Sequence, residues 1–256
     1  MIRVDLNADM GESYGPWKMG DDDSLLKTVT SANIACGAHA GDPDVMAATM
    51  RTAMQNGVGI GAHPGFADIQ GFGRRRMSVP RGSLQNSVRY QVAASVGMAK
   101  SIGAEVRHLK LHGAMANMAS EDEQLASDLF EAALSVAPDL IVMVLSATAQ
   151  EAAARALGCS YAGEIFADRA YNDDATLVDR SLPGAVIHDP DIAGPRMVEM
   201  VKAGAIITGS GKRIDAAIDT ICLHGDTSTA VQIAKSVRSC LEAADIAVKQ
   251  FDGRRA

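Results

Sequence analysis

Two rhythms of apolar and polar positions alternate along the chain. Short apolar or alternating runs at 2–6, 32–36, 58–62, 106–111, 140–145 and 161–165 read as strands, and the stretches between them carry helical spacing. A short helix is expected at 22–30. Asp42 and Pro43 open another, the acid capping free amides and the proline occupying a first turn that needs no N–H of its own. Met46, Met50 and Ala53 give it one apolar stripe, and Asn56-Gly57 ends it. From Pro80 onward, Leu84, Val88, Val92 and Val96 recur every fourth residue. Further helices are expected at 121–136 and 149–156.

The pattern loosens over 166–195, a loop-rich stretch with three prolines. It resumes with a helix at 196–203 and strands at 205–208 and 220–223. Asp226 is placed to cap a last helix whose stripe is Val231, Ala234, Val237 and Leu241. Strands separated by helices of ten residues or more require crossover connections, hence a mostly parallel sheet. Seven or so strands with no linker between them favour a closed or nearly closed barrel, as a single domain over 1–256.

Composition narrows the class without naming a reaction. The 256 residues carry a net charge of −7, which argues against a nucleic-acid partner, since that needs a basic face. No apolar run is long enough to span a membrane. Four scattered cysteines do not make a disulfide framework, and the opening residues hold no signal-peptide apolar region, so a cytoplasmic protein with reduced thiols is expected.

The informative observation is positional. Asp9, His39, His63, His112 and His224 each lie just past a predicted strand, and Glu164 ends another. Loops at the C-terminal ends of barrel strands converge on one mouth, where active sites of this architecture gather. Four of six histidines at such ends, with two acids, point to a site there. Plainer readings stand beside this one. Asp9 and Glu12 could form a turn and a capping pair, and Cys36 and Cys222 read as small buried residues. His108, inside a strand, reads as structural. Gly61 and Gly65 on either side of His63 would let backbone approach a ligand.

Asp9 with His39 and His63 would suit zinc or a similar divalent ion, although no compact ligand motif is present. Without a metal, the same histidines would transfer protons, while Lys110 or Arg74 would hold an anion. Arg74, Arg75 and Arg76 follow a Gly-Phe-Gly hinge, and Glu164, Asp168, Arg169 and Tyr171 crowd one loop. The GSGKR run at 209–213 is a false lead: Ile206 replaces the first glycine of a phosphate loop, and Arg213 replaces its hydroxyl residue.

Taken together, the segments DLNADMGE at 5–12, ANIACGAHAGDP at 32–43, GAHPGF at 61–66 and GFGR at 71–74 resemble the LamB/YcsF family. So do KLHGA at 110–114, FADRAY at 166–171 and CLHGD at 222–226. The resemblance runs nearly the whole length in order. It implies a seven-stranded (β/α) barrel of the glycoside hydrolase/deacetylase type. The implied activity is ATP-driven opening of the lactam of 5-oxoproline to glutamate, together with two partner subunits, B and C, which would account for ATP binding elsewhere.

On this reading Asp9, His39, His63, His112 and Glu164 are the candidate catalytic residues. Asn7, Glu12, Arg74, Lys110, Asp168, Arg169, His224 and Asp226 are candidates for holding substrate, with Asp9, His39 and His63 as metal ligands. Ala38, Leu111 and the Met115-Ala116 pair depart from the family, which carries bulkier aromatics or proline there. A wider pocket taking another lactam or cyclic amide is therefore an alternative, as are a stand-alone metal-dependent amidase or deacetylase and a binding component without turnover. The scarce aromatics Tyr14, Trp17, Phe66, Phe72, Phe166 and Tyr171 are expected to ring the mouth and keep water out.

Overall fold

The computed structural model describes residues 2–224 and 229–255. Its elements run β1 (Arg3–Met10), α1 (Asp22–Leu25), β2 (Ser31–Ala35), α2 (Pro43–Gln55), β3 (Gly59–His63), α3 (Arg81–Ser101) and β4 (Val106–Lys110). There follow α4 (Gly113–Glu121), α5 (Glu123–Leu134), β5 (Ile141–Leu145), α6 (Ala149–Leu157) and β6 (Tyr161–Phe166). The chain ends with α7 (Pro190–Ala203), β7 (Ala205–Ile207), β8 (Arg213–Asp215), β9 (Thr220–His224), α8 (Ala230–Ala243) and β10 (Ala247–Val248).

Strands β1 to β6 and β9 pair in parallel in that order, and β1 pairs with both β2 and β9, which closes a seven-stranded barrel. β10 lies beside the start of β1, outside the ring. The run at 205–208 is the exception to the expected rhythm. It forms an antiparallel ribbon, β7–β8, because β8 offers it a closer partner and β9 takes the last place in the ring.

Strand alternation sorts the side chains into two cores. Val4, Leu6, Ala8 and Met10 of β1 are buried in the apolar layer beneath the helices. Asp5, Asn7 and Asp9, the other face of the same strand, are equally buried but bond across the lumen to β2, β4 and β9. Barrels of this class commonly fill the lumen with branched apolar residues. Here polar side chains, which need partners to offset their lost hydration, share it with a small apolar cluster of Ile141, Met143, Ala162 and Phe251.

Local signals hold at α2, where Asp42 accepts from the amides of Asp44 and Val45 and Pro43 opens the first turn. Three helices differ from expectation. The first stops at Leu25 rather than continuing to residue 30. The helix expected at 121–136 forms as α5, but an unexpected helix, α4, precedes it, and Asp122 turns the chain between them and caps α5 through the Leu125 amide. α7 begins at Pro190, capped by Asp189, and passes through Pro195. Burial overrides the missing N–H: α7 lies so close to α8 that a Cβ on Gly194 would come within 2.7 Å of the Cys240 sulfur. Among the described residues, no helix is long and apolar enough to cross a membrane.

Candidate active site

The lumen is built in hydrogen-bonded steps. At its base the Asp5 carboxylate accepts from the hydroxyls of Thr220 (2.5 Å), Thr30 (2.6 Å) and Ser31 (2.8 Å). Burial still raises its pKa to about 6, against the pull of those donors. The Asn7 amide donates to Thr220 Oγ1 at 2.7 Å, and its carbonyl oxygen accepts from Asn33 at 2.8 Å. Asn33 also donates to Asp9 Oδ1 at 2.9 Å. Asn7, expected to hold substrate, is thus fully buried and lies one step below Asp9.

Lys110 centres the next layer. Its Nζ lies 2.9 Å from Asp9 Oδ1, 2.9 Å from Glu164 Oε1 and 2.9 Å from Cys222 Sγ. Burial opposes the ammonium charge, but Asp9, Cys222 and Glu164 outweigh it and hold Lys110 well above the ordinary lysine value. Burial likewise works against the Asp9 carboxylate, while His63 and Lys110 keep it well below its usual pKa. Burial pushes Glu164 up, with Lys110 opposing. Cys222, read from sequence as filler, is a contact of this cation, and burial drives its thiol pKa far upward.

Beside this layer stands a box of three imidazoles and a carboxylate. Donor atoms of Glu12, His39, His63 and His112 all lie within 4.8 Å of one another. His63 Nδ1 is 2.8 Å from the Lys110 carbonyl, and His112 Nε2 is 2.8 Å from the Phe72 carbonyl. A carbonyl only accepts, so each of these ring nitrogens carries the proton and donates it. The other two nitrogens, His63 Nε2 and His112 Nδ1, face each other at 3.1 Å. Asp9 Oδ2 lies 3.4 Å from the first, and Glu12 Oε1 3.9 Å from the second.

His39 stacks on His112 with ring centres 3.7 Å apart, and neither of its buried nitrogens has a hydrogen-bond partner. Burial, then neighbouring imidazoles, holds His39 and His112 well below the ordinary histidine pKa, so both rings are neutral. Converging lone pairs and a carboxylate form a donor set for a divalent cation. Of the expected ligands, His39 and His63 lie in this group beside Glu12 and His112, while Asp9 bonds Lys110 through Oδ1 and keeps Oδ2 3.4 Å from His63. A second group, Asp9, Cys222 and His224, also brings its donor atoms within 4.8 Å. There the Lys110 ammonium already bonds to Asp9 and Cys222.

Glycine makes the box possible. A Cβ on Gly65 would meet His39 Nδ1 at 2.7 Å, and one on Gly61 would meet His108 Nε2 at 2.1 Å. Gly65 therefore makes room for His39 of the box, and Gly61 for His108 below it.

A cavity of about 550 Å³ opens above these groups, lined by Asp9, Lys110, His112 and His224 among others. His224 Nδ1 lies 2.7 Å from Asp168 Oδ2, and its Nε2 accepts from Arg180 at 3.1 Å. Asp168 resists the effect of burial because His224 holds its pKa down. Arg74 lines the same cavity, its guanidinium 4.8 Å from the Phe72 ring centre. Arg169 reaches the wall too, but its guanidinium donates to the carbonyls of Val178 and Ala185 and so staples the β6–α7 loop. Asp226 lies outside the described residues.

Of the six aromatics expected at the mouth, Phe166 lines the cavity and Phe72 packs edge-on against His39 and His112. Phe66 and Tyr171 are core, and Tyr14 and Trp17 stack on each other in an exposed turn. Leu111 and Ala116, two of the departures from the family pattern, do line the cavity.

Sequence reasoning does not single out Asn33, and it reads His108 as structural and Cys222 as a small buried residue, both of which are fully buried here; Arg180 is not singled out either. The first three share a signal: polar or sulfur-bearing side chains on alternate positions of otherwise apolar strands, aligned with Asp9, Lys110 and His224.

The LamB/YcsF family model matches residues 4–256. The chain belongs to the LamB/YcsF family. A relative from Ruegeria pomeroyi, named as the A component of 5-oxoprolinase, is 69% identical over 252 residues, covering 98% of this chain and 100% of its own. Among solved structures, the lactam utilization protein from Thermus thermophilus superposes with a TM-score of 0.91 at 38% identity, covering 98% of this LamB/YcsF chain and 100% of its own. A family 4 carbohydrate esterase from Streptomyces lividans shares the barrel fold alone, with a TM-score of 0.52 at 11% identity over 99% of this chain and 96% of its own.

Proposed function

We propose that this chain is the A component of an ATP-dependent 5-oxoprolinase, a cytoplasmic single-domain barrel that opens the lactam of 5-oxo-L-proline to L-glutamate with partner subunits B and C. The observation that carries the reading is the 69% identity, over 98% of this chain and 100% of the relative, to a protein bearing that name. The site's chemistry supports it: an ionised carboxylate, a buried ammonium and a carboxylate-oriented histidine face one cavity.

A lactam carbonyl is a poor electrophile because nitrogen donates into it. Transfer of the ATP γ-phosphoryl group to the amide oxygen, the step assigned to the partners, removes that protection. Asp9 then takes a proton from water as its oxygen bonds to the ring carbon. His224 passes to the ring nitrogen, as the carbon–nitrogen bond breaks, the proton that Asp9 took from water: its Nδ1–H is held by Asp168, so Nε2, once it leaves Arg180, takes up and releases that proton. The opened product is an acyl phosphate, and a second water releases phosphate and leaves glutamate. Lys110 fixes Asp9 throughout and offsets negative charge on oxygen. Arg74 suits the substrate carboxylate. A divalent ion held by Glu12, His39, His63 and His112 would supply Lewis acidity next to Asp9.

Reconstitution tests the reading. The chain alone should release little glutamate from 5-oxoproline, and addition of its own B and C partners with ATP should restore release. No gain on reconstitution would overturn it. Steady turnover of a lactam or acetamide by the chain alone, without ATP, would instead favour the stand-alone amidase that the histidine box also suits.

A further inference from the structure

His108 occupies the lumen below the box, with no exposed surface. Its Nε2 lies 2.8 Å from Asn33 Oδ1, and the Asn33 amide nitrogen lies 2.9 Å from Asp9 Oδ1 and 2.8 Å from Asn7 Oδ1. Only one arrangement of hydrogens satisfies this chain. The Asp9 carboxylate can only accept, so the Asn33 NH₂ faces it and the Asn33 carbonyl faces His108. His108 Nε2 must then carry the proton. Burial lowers the His108 pKa to about 3, so the ring is neutral and its Nδ1 is bare.

The network constrains the carboxylate itself. Asp9 Oδ1 accepts from both Asn33 and Lys110 at 2.9 Å, while Oδ2 is left toward His63 at 3.4 Å. Neither donor alone would do this. Lys110 is shared with Glu164 and Cys222 and sits on a flexible stem, whereas an amide locked at its other end is rigid. Space for the lock is reserved in the backbone. Gly61 lies opposite His108 in the β3–β4 pairing, and any side chain there would overlap the ring.

We propose that His108 and Asn33 are positioning residues for Asp9: His108 fixes the Asn33 amide, and Asn33 fixes which Asp9 oxygen faces the reacting centre. This rests on the reading of Asp9 as the base. Loss of the lock should lower kcat and spare KM, since substrate touches neither residue.

The test uses the complete complex with ATP and 5-oxoproline. His108→Phe keeps a ring of similar size and removes the donor. It should lower kcat by about 10–100-fold, the usual cost of losing a group that orients a catalytic one, with KM changed by less than about threefold. His108→Gln, which can still present an amide donor to Asn33, should recover most of the loss. If His108→Phe fails to fold, Asn33→Ser carries the same test, because its hydroxyl cannot span both Asp9 and His108. Wild-type kcat in a folded His108→Phe or Asn33→Ser complex would overturn the proposal. So would equal losses in the Phe and Gln variants. Full activity in Asp9→Asn would instead remove the base assignment on which the proposal stands, so the two failures are told apart.

Discussion

His63 and His112 face each other through nitrogens 3.1 Å apart, and each has already given its other N–H to a backbone carbonyl. Two bare lone pairs at that distance repel unless a proton or a cation lies between them. With His39 neutral and without a hydrogen bond, and Glu12 Oε1 3.6 Å from its Nε2 completing the set, a divalent ion is the expected occupant. Protein purified without chelator should therefore contain about one divalent ion per chain by elemental analysis, the capacity of one four-donor set. His39→Ala should lose it and should no longer show the rise in melting temperature that the metal gives the native chain. Metal-free protein whose melting temperature ignores added zinc, manganese and nickel would count against the site.

The Lys110 ammonium balances two buried carboxylates. Lys110→Met leaves Asp9 and Glu164 facing each other without a cation, which should cost about 3–5 kcal/mol. Urea denaturation should show a lower midpoint with an unchanged slope. The double variant with Glu164→Gln should regain part of the loss, because one of the two charges is then gone. An unchanged midpoint in Lys110→Met would show that the ion pairs contribute nothing to the fold.

Asp5 makes stability depend on pH in an unusual direction. Its folded pKa of about 6 lies above the ordinary aspartate value of 3.8, so the folded chain binds this proton more tightly. The associated stability is fully present below pH 3.8 and is lost as pH rises through about 6. The span between those values corresponds to about 3 kcal/mol. Asp5→Asn should flatten that part of the profile in chemical denaturation between about pH 4 and 7. A wild-type curve without a fall across this window would contradict the assignment.

His224 is oriented by both oxygens of Asp168, at 2.7 and 2.8 Å. As the proton donor to the leaving nitrogen, it should account for about 10²–10⁴ in rate. His224→Gln and Asp168→Asn should both lower kcat for glutamate release in the complex. Removing Arg180, which donates to His224 Nε2, should lower kcat less than His224→Gln does, because the ring that moves the proton is kept. Retention of wild-type kcat by His224→Gln would assign the proton to another group.

Much of this molecule is written locally, and some of it is not. The strand ends that carry Asp9, His63, Lys110 and Glu164 are legible because short apolar runs punctuated by glycine and polar residues leave little choice of element. The closed ring is legible from the helices between them, which force parallel pairing. The role of β7 is not, since a strand's partner is chosen by distance in space, here by β8 a few residues on. The metal set is half legible. His39, His63 and His112 all stand at or just past strand ends and Glu12 lies in the loop after β1, but only closure of the barrel shows which of their atoms converge. Asn33 and His108 look like filler in sequence because one strand shows only the alternation, not what it meets across the lumen.

Everything proposed for the reaction depends on Asp9 acting as the base in an ATP-coupled lactam opening. Glutamate release by the wild-type chain and by Asp9→Asn, each assembled with subunits B and C and supplied with ATP and 5-oxoproline, tests it most directly. The predicted result is ATP-dependent release by the wild type and a rate at least about 100-fold lower in the variant, with the complex still assembled. Release by the Asp9→Asn complex at the wild-type rate would contradict it.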